Sequence, residues 1–266
     1  MRAIMQRRAW VLGMAALALA PGARARRRPG DRALAVGMET LLLDCGFAAA
    51  LARRFGRDTG LTVRPEPGPS TGLLQALARG EVDLALTHAP ALAARLEAEG
   101  TIYDSHPVAH TEFLLIGPRA AGAAVAHDAV AALARLAQAE APFVTRNDGS
   151  GTHLAEQALW RDAGIAPAGT WWYRSMDPAG GPLLVQARLL GAACLVDRAT
   201  WLAPASRGAA RGLVVIAEGD ARLATELRVH RSLVSEHPAG KLFIAWLTGP
   251  TGRAVVSRTP GLRAPT

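Results

Sequence analysis

A short loop rich in glycine and hydroxyl groups carries the clearest chemistry in the chain. Residues 147–152 read Asn-Asp-Gly-Ser-Gly-Thr, and Arg146 comes directly before them. The hydroxyls of Ser150 and Thr152 donate hydrogen bonds, and the Arg146 guanidinium adds a permanent charge on a planar fork of donors. The two glycines of the loop allow a bound group to approach the backbone closely. Donors of these kinds suit a small anion.

The elements on either side of this loop decide where its donors point. The apolar run Ala141 to Val144 predicts a buried strand, and apolar residues at helical spacing from Leu154 to Ala163 predict a helix. Because the N–H groups that open a helix have no partner inside it, Gly151 joins the candidate ligand residues. The pattern predicts an anion-binding loop at the carboxyl end of a strand. It also suits an ordinary helix start capped by Ser150 or Asp148.

The same loop carries a family resemblance. Residues 146–153 resemble the periplasmic tungstate-binding proteins of ABC importers, in which the Arg and the hydroxyls of this loop are ligands of the oxyanion. The resemblance therefore implies that Arg146, Ser150 and Thr152 bind the ligand here. Further similar positions, spread over nearly all of the chain beyond its first residues, are Glu156, Trp160, Leu86 to Pro90, Leu195 to Trp201 and Ala245 to Pro250.

The turn after the first predicted strand departs from that family. The segment Gly37 to Gly46 reads Gly-Met-Glu-Thr-Leu-Leu-Leu-Asp-Cys-Gly, where the family has a run of threonines and a serine before Asp-Ser-Gly. Thr40 and Glu39 are the candidate site residues in this turn. A tetrahedral oxyanion only accepts hydrogen bonds, and a buried carboxylate beside it repels it. We therefore expect Glu39 to point away, to pair with Arg146 or Arg198, or to indicate a ligand other than tungstate.

Two further loops are expected to face the ligand. Ser70 and Thr71 open a predicted helix and supply hydroxyls at its start, similar to a Gly-Thr-Gly turn of the tungstate-binding family. A simple helix cap explains them equally well. Residues 177–182 precede another predicted helix, and either close the site through backbone N–H groups or form a plain loop.

The sequence favours a binding protein over an enzyme. Asp148, Ser150 and His153 are close in sequence, but a catalytic triad must converge in space beside an oxyanion hole. The loop also lacks the Gly-x-Ser-x-Gly spacing of a nucleophile elbow. The histidines match no common metal-site spacing, so neither a cofactor nor a metal ion is expected.

The N-terminus predicts export. Arg7 and Arg8 precede the apolar stretch Ala9 to Ala20, and Ala23-Arg24-Ala25 suits a cleavage site. Residues 1–25 are therefore predicted to be a signal peptide and the mature protein to be periplasmic. The paired arginines favour the twin-Arg route over an ordinary secretory signal.

Alternating strands and helices predict the fold. They alternate from residue 33 to residue 99 and again after Pro118, and Leu227 to Val234 is a predicted returning strand. Asp44 to Arg57 is a predicted helix with Phe47, Leu51 and Phe55 on one face, and Leu183 to Leu190 is another. Phe113 to Ile116 and Leu213 to Ala217 are predicted strands, and Pro65 to Pro69 is predicted to be a loop. This outline is an α/β fold of the two-lobed, type II periplasmic solute-binding kind, in which each lobe is a mixed, mainly parallel sheet flanked by helices. The ligand is expected in the interlobe cleft. We expect lobe 1 to comprise residues 33–116 and 226–266, and lobe 2 residues 117–225.

Charge and motifs together limit the function. The formal net charge is +8, but no basic run is interleaved with aromatic residues beyond residue 32, which argues against nucleic-acid binding. We expect a monomer that delivers a small anion, such as tungstate or molybdate, to an ABC permease in the inner membrane. Two alternatives remain open. The same scaffold binds an organic acid or zwitterion, or it acts as a sensor or partner protein without transport.

Overall fold

The computed structural model of the chain describes residues 33–119, 125–235 and 237–265. The predicted signal peptide, residues 1–25, lies outside these described residues. The strands are β1 (Ala33–Glu39), β2 (Thr62–Gly68), β3 (Leu84–Thr87), β4 (Tyr103–Pro118), β5 (Phe143–Thr145), β6 (Tyr173–Ser175), β7 (Cys194–Asp197), β8 (Leu213–Ala217) and β9 (Ala224–Arg231). The helices are α1 (Thr40–Asp44), α2 (Phe47–Thr59), α3 (Ser70–Ala78), α4 (Pro90–Ala98), α5 (Ala129–Gln138), α6 (Gly151–Asp162), α7 (Leu183–Leu190), α8 (Arg198–Leu202), α9 (Ser206–Ala209), α10 (Ala239–Thr248) and α11 (Pro250–Ser257).

The long strand β4 connects two groups of strands. Its first part, Tyr103 to Glu112, pairs antiparallel with β9, and its last part, Phe113 to Pro118, pairs antiparallel with β7 and β8. Beyond β9 the order continues through β3 and β1 to β2, and β1 runs parallel to both β2 and β3. Strands β5 and β6 form a separate parallel pair. The mixed α/β architecture predicted from the alternating pattern is confirmed.

The buried apolar side chains also fall into two groups along the chain. One group comes from residues 34–109 and 227–262, with Ala199 as an addition from elsewhere. The other comes from residues 113–223. The change from one group to the other occurs within β4, so each half of the molecule has its own core and β4 runs through both. The two cysteines are free, with Cys194 buried in the second core.

Strand β1 is the platform that carries the first site residue. Every residue after Ala33 is buried, as expected for a strand covered by helices on both faces. Helix α2 packs Phe47, Leu51 and Phe55 against this strand, on the face that helical spacing predicts. Since β1 ends at Glu39, this burial fixes the position of the glutamate backbone.

Two predicted elements were wrong. Pro65 to Pro69 was expected to be a loop, but β2 continues to Gly68 and pairs with β1 through Pro65 and Pro67. Proline is tolerated there because β2 lies at the edge of the sheet, where its missing N–H breaks no ladder on the outer side. The helix predicted from Asp44 to Arg57 is present as α2, but its start was wrong. Gly46, with a φ of 82°, separates α2 from the short helix α1.

The helices in the described part of the chain are all too short or too polar to cross a membrane.

Candidate functional site

The loop singled out by the sequence joins β5 to α6. Asn147 and Gly149 both have left-handed backbone conformations, with φ of 47° and 73°, and these turn the chain sharply between strand and helix. The Asp148 carboxylate accepts a hydrogen bond from Ser150 N at 2.9 Å, and Ser150 Oγ accepts one from His153 N at 3.3 Å. Ser150 is therefore the N-cap of α6. The cap fixes the direction of the first turn and its free N–H groups.

Arg146 lies beside this loop as a half-buried cation. Its Nε donates to Asp148 Oδ2 at 2.9 Å and to Ser150 Oγ at 3.2 Å, and its Nη2 lies 2.8 Å from the same Asp148 oxygen. Burial opposes ionisation of Asp148, but hydrogen bonds from Ser150 and the charge of Arg146 outweigh it and lower the pKa of the carboxyl. The loop thus holds its own arginine in place, with part of the guanidinium still exposed.

The start of α3 meets the loop from the other half of the molecule. Thr71 N donates to Gly149 O at 3.2 Å. A Cβ on Gly149 would lie 2.4 Å from Thr71 Oγ1, so this approach requires glycine. Ser70 is fully buried, and its Oγ has no hydrogen-bond partner among the described residues. Since an unpaired buried hydroxyl costs about 1–3 kcal/mol, Ser70 is a donor suited to a ligand.

Glu39 lies in the same place and is only 2% exposed. Its Oε1 accepts a hydrogen bond from Gly151 N at 3.3 Å and lies 3.1 Å from His88 Nδ1. A Cβ on Gly151 would lie 2.5 Å from His88 O, so the start of α6 is pressed against the segment that follows β3. The pairings suggested by the sequence, with Arg146 or Arg198, are not formed. Arg146 contacts Asp148, and Arg198 is occupied by two other glutamates.

His88 is the site residue that sequence reasoning missed. Its ring is buried and lies 5.3 Å from the Phe113 ring centroid, in a tilted arrangement. Burial disfavours the charged imidazole, but the Glu39 carboxylate and, further off, Asp197 outweigh that penalty and raise the pKa of His88. The Glu39 carboxylate therefore favours the charged form of the buried His88 ring. The sequence places His88 in a segment similar to the tungstate-binding family, but nothing in its spacing connects it with Glu39.

Additional acidic groups surround the pair. Asp44 ends α1, and burial raises its pKa against the opposing effect of Arg146. Asp197 ends β7 and is already occupied as the cap of α8, where it accepts hydrogen bonds from Thr200 N and Oγ1 at 2.7 and 2.6 Å. The site thus combines donors suited to an anion with more negative charge than the loop alone suggests.

A buried carboxyl lies one turn further along α6. Glu156 Oε1 accepts a hydrogen bond from Tyr173 Oη at 2.6 Å, and Gln157 Nε2 donates to the same hydroxyl at 2.9 Å. Burial raises the pKa of Glu156 to about 7, against the opposing effect of the hydrogen bond from Tyr173. This group supports the helix that carries the loop. The resemblance named Glu156 but assigned it no role.

The remaining predicted residues differ in their exposure. Thr152 is buried in the first turn of α6, whereas Thr40 is exposed at the start of α1.

The loop at residues 177–182 is tied to its own helix, since Gln186 Nε2 donates to Asp177 O at 2.7 Å and to Gly181 O at 2.8 Å. Apart from Thr40, the predicted site residues lie together in the structure. They are Glu39, Ser70, Thr71, Arg146, Ser150, Gly151 and Thr152.

Two open cavities among the described residues are lined by side chains other than those of this cluster. One, of about 260 Å³, is lined partly by Arg53, Arg57 and Arg258, and the other, of about 310 Å³, lies beside Arg198. Neither contains the convergent buried donors of the loop, so we place the site at the loop. Among the described residues, no group of three or more acidic, histidine or cysteine side chains forms a metal site.

The chain is similar in sequence to proteins of known character. The chain is 32% identical over 184 residues to the tungstate-binding protein TupA of Peptoclostridium acidaminophilum, covering 68% of the chain and 63% of that protein. It is 33% identical over 172 residues to a putative ABC transporter anion-binding protein of Haloferax volcanii, covering 64% and 50%. The chain thus spans about half to two thirds of the length of these curated relatives.

The fold agrees with a solved structure. The tungstate ABC transporter structure from Geobacter sulfurreducens matches with a TM-score of 0.73 at 29% identity, covering 85% of this chain and 97% of that one. The predicted type II periplasmic binding fold and the resemblance to tungstate-binding proteins are confirmed. The family model described as the PBP superfamily domain matches residues 40–251, and the chain belongs to that superfamily.

Proposed function

We propose that this chain binds a small oxyanion of the tungstate and molybdate type between its two halves, as the solute-binding component of an ABC-type importer. The observation that carries the proposal is the meeting of two helix starts. Thr71 of α3 contacts Gly149 before α6, beside the Arg146 guanidinium. A tetrahedral anion accepts hydrogen bonds from such backbone N–H groups and from the arginine fork.

The ligand residues of this proposal are four of those predicted from the sequence, with one addition. Arg146 supplies charge, Gly151 and Thr152 supply N–H groups, and Ser70 supplies the buried hydroxyl that has no partner among the described residues. We add His88, whose raised pKa favours the cationic ring that an anion needs. The relatives named for tungstate and anion binding support this ligand class.

The lobe bounds are part of the proposal. We assign residues 33–116 and 226–266 to lobe 1 and residues 117–225 to lobe 2, with β4 and the β9 region as the two connections. The buried cores also divide within β4, which supports a boundary in this strand, but Phe113 to Ile116 already pack in the second core. The site residues come from both sides of it, because Glu39, Ser70 and His88 precede β4 while Arg146 and Gly151 follow it. Closure of the lobes then excludes water from the anion.

The location and partner follow from the same role. We propose that the protein is exported through residues 1–25, acts as a monomer in the periplasm, and passes its anion to a permease in the inner membrane. The paired arginines before an apolar stretch support this location. Cell fractionation of the wild type and of Arg7→Lys/Arg8→Lys checks it: the variant should stay in the cytoplasm, and a wild type found there would contradict the proposal.

A thermal-shift panel tests the ligand class. Tungstate and molybdate, titrated at pH 6, should raise the melting temperature, because a ligand that binds only the folded state stabilises it by mass action. Amino acids and dicarboxylic acids at the same concentrations are the comparison ligands. A rise with these organic ligands, and none with either oxyanion, would favour the alternative of an organic acid or zwitterion.

A further inference from the structure

Glu39 occupies a hydrogen-bond position that the proposed anion would use. Its Oε1 lies 3.3 Å from Gly151 N, the first residue of α6, and the side chain is 2% exposed. A carboxylate is itself an oxyanion, and the N-terminus of a helix binds carboxylates and tetrahedral anions through the same N–H groups. Glu39 therefore interacts with α6 as a ligand anion does, while remaining attached to β1 of the other half.

His88 completes the resemblance to a bound anion. Its Nδ1 lies 3.1 Å from Glu39 Oε1, and both side chains are almost fully buried. The pKa of His88 is raised because the nearby carboxylate outweighs the cost of burial. A bound oxyanion beside this ring would receive the same stabilisation that Glu39 now receives, so solute and Glu39 compete for the His88 ring as well as for the N–H group.

The charges near the pair make simple addition of a dianion unfavourable. Arg146 and Asp197 both act on His88, and Asp148 and Asp44 lie close enough to Arg146 for its charge to act on them. Together with Glu39 the carboxylates outnumber the two cationic groups, Arg146 and His88. Because like charges in a buried site favour protonation of one of them, a doubly charged solute can enter only if a carboxyl takes up a proton.

We propose that Glu39 is an internal competitor of the solute and determines the proton dependence of binding: an oxyanion displaces its carboxylate from Gly151 N and His88, and the site takes up one proton from the solvent. This inference rests on the proposed function of the site. It follows that the affinity for a fully ionised oxyanion falls as the pH rises, by about tenfold per pH unit when one proton is taken up.

Calorimetry with sodium tungstate tests this coupling. Titrations at pH 6, 7 and 8, each in two buffers that differ in ionisation enthalpy, give the affinity and the number of protons taken up. The wild type should take up about one proton per tungstate. Glu39→Gln keeps an acceptor for Gly151 N and removes the charge, so it should take up none, bind at least tenfold more tightly at pH 8, and lose the pH dependence.

A matched variant controls for the loss of a carboxylate. Glu66→Gln removes a half-exposed glutamate from the neighbouring strand β2, where it pairs with Arg64, and should reproduce the wild-type affinity and proton uptake. If Glu39→Gln fails to fold, the number of protons that the wild type takes up per tungstate still tests the inference. Equal affinity of the wild type and Glu39→Gln, without proton uptake in either, overturns this inference and leaves oxyanion binding intact. No tungstate binding by either folded protein at any pH overturns the proposed function and this inference with it.

Discussion

At the scale of single residues, Arg146 has two roles that experiment separates. It bonds Asp148 and Ser150 within its own loop, and we propose that it also binds the anion. The loop contact holds the guanidinium in one position, which lowers the conformational entropy that a long side chain otherwise loses on binding. An arginine held in this way is prepared for an anion before the anion arrives.

Replacing Arg146 should therefore weaken binding more than folding. A charge-assisted hydrogen bond is worth about 1.5–3 kcal/mol, so Arg146→Ala should lower the tungstate affinity by about ten- to a hundredfold. Arg146→Lys should recover only part, because lysine lacks the fork. Loss of the contact with Asp148 should cost about 1 kcal/mol of stability or less. Calorimetry and thermal unfolding measure both effects.

The control for this variant is Arg161→Ala, which removes an exposed arginine from the last turn of α6. It should leave the affinity unchanged. Full tungstate affinity in Arg146→Ala would show that the arginine is only a structural partner of Asp148.

Glu156 predicts a pH dependence of stability. Its pKa is about 7 in the folded protein, against an ordinary value of 4.5, so the folded state holds a proton that the unfolded chain releases between these values. The free energy of unfolding that Glu156 contributes is therefore largest below pH 4.5 and falls as the pH rises to about 7. Above that pH, Glu156→Gln should be more stable than the wild type by about 3 kcal/mol.

The difference in the free energy of unfolding between Glu156→Gln and the wild type isolates the effect of Glu156. Burial lowers the pKa of His230 to about 4, so this residue destabilises the fold as the pH falls, which is the opposite of the effect of Glu156. The contribution of His230 is the same in the variant and the wild type, so it cancels in the comparison. Asp162→Asn, an exposed change on the same helix, is the matched control. A stability difference that does not change between pH 5 and pH 8 in denaturant titrations would contradict the account.

At the scale of elements, the sequence predicted a helix, strand or loop correctly where its structure depends on residues within the same segment. The helix Leu183–Leu190 and the strand Leu213–Ala217 have the bounds that the apolar spacing predicts. The loop before α6 was predictable because its glycines, its cap and its arginine are consecutive. The last part of the strand β2 was predicted to be a loop because of its prolines. A proline is tolerated in a strand at the edge of a sheet, and the sequence alone does not show that β2 has this position.

The variant Gly151→Ala tests the contact between the start of α6 and the segment that follows β3. A Cβ there would lie 2.5 Å from His88 O, so Gly151→Ala should keep the start of α6 away from the end of β3 and lower the tungstate affinity at least tenfold. Alanine itself favours the helix by up to about 1 kcal/mol over glycine. The melting temperature without ligand should therefore change little, because the halves can separate.

Gly208→Ala is the comparison, since a Cβ at that helical glycine meets open space. It should leave both affinity and melting temperature as they are. A large fall in the melting temperature of ligand-free Gly151→Ala would mean that the contact belongs to a fixed core, which would argue against a closing cleft.

At the scale of the whole molecule, the alternating pattern predicted two α/β halves and a late returning strand. The pattern did not predict the contact between Glu39 and Gly151, which are 112 positions apart in sequence. Such a contact depends on how the two halves meet, and spacing within a segment carries no information about that. The length of β4, which serves both halves, was missed for the same reason.

The lobe assignment predicts a change of shape. If β4 and the β9 region connect two lobes, tungstate should reduce the radius of gyration measured by small-angle X-ray scattering, because closure brings the two cores together. The Gly151→Ala protein, which should not close, is the comparison. An identical radius of gyration with and without saturating tungstate would contradict the hinge.

The most direct test of the central claim is the position of tungsten in a crystal of the protein grown with sodium tungstate at pH 6. Anomalous scattering at the tungsten absorption edge locates the ion without reference to the protein. We expect one strong peak within hydrogen-bond distance of the Arg146 guanidinium and the first N–H groups of α6, with Glu39 displaced from Gly151 N. A peak only in the cavity beside Arg53, Arg57 and Arg258, with the Glu39 contact intact, would contradict it.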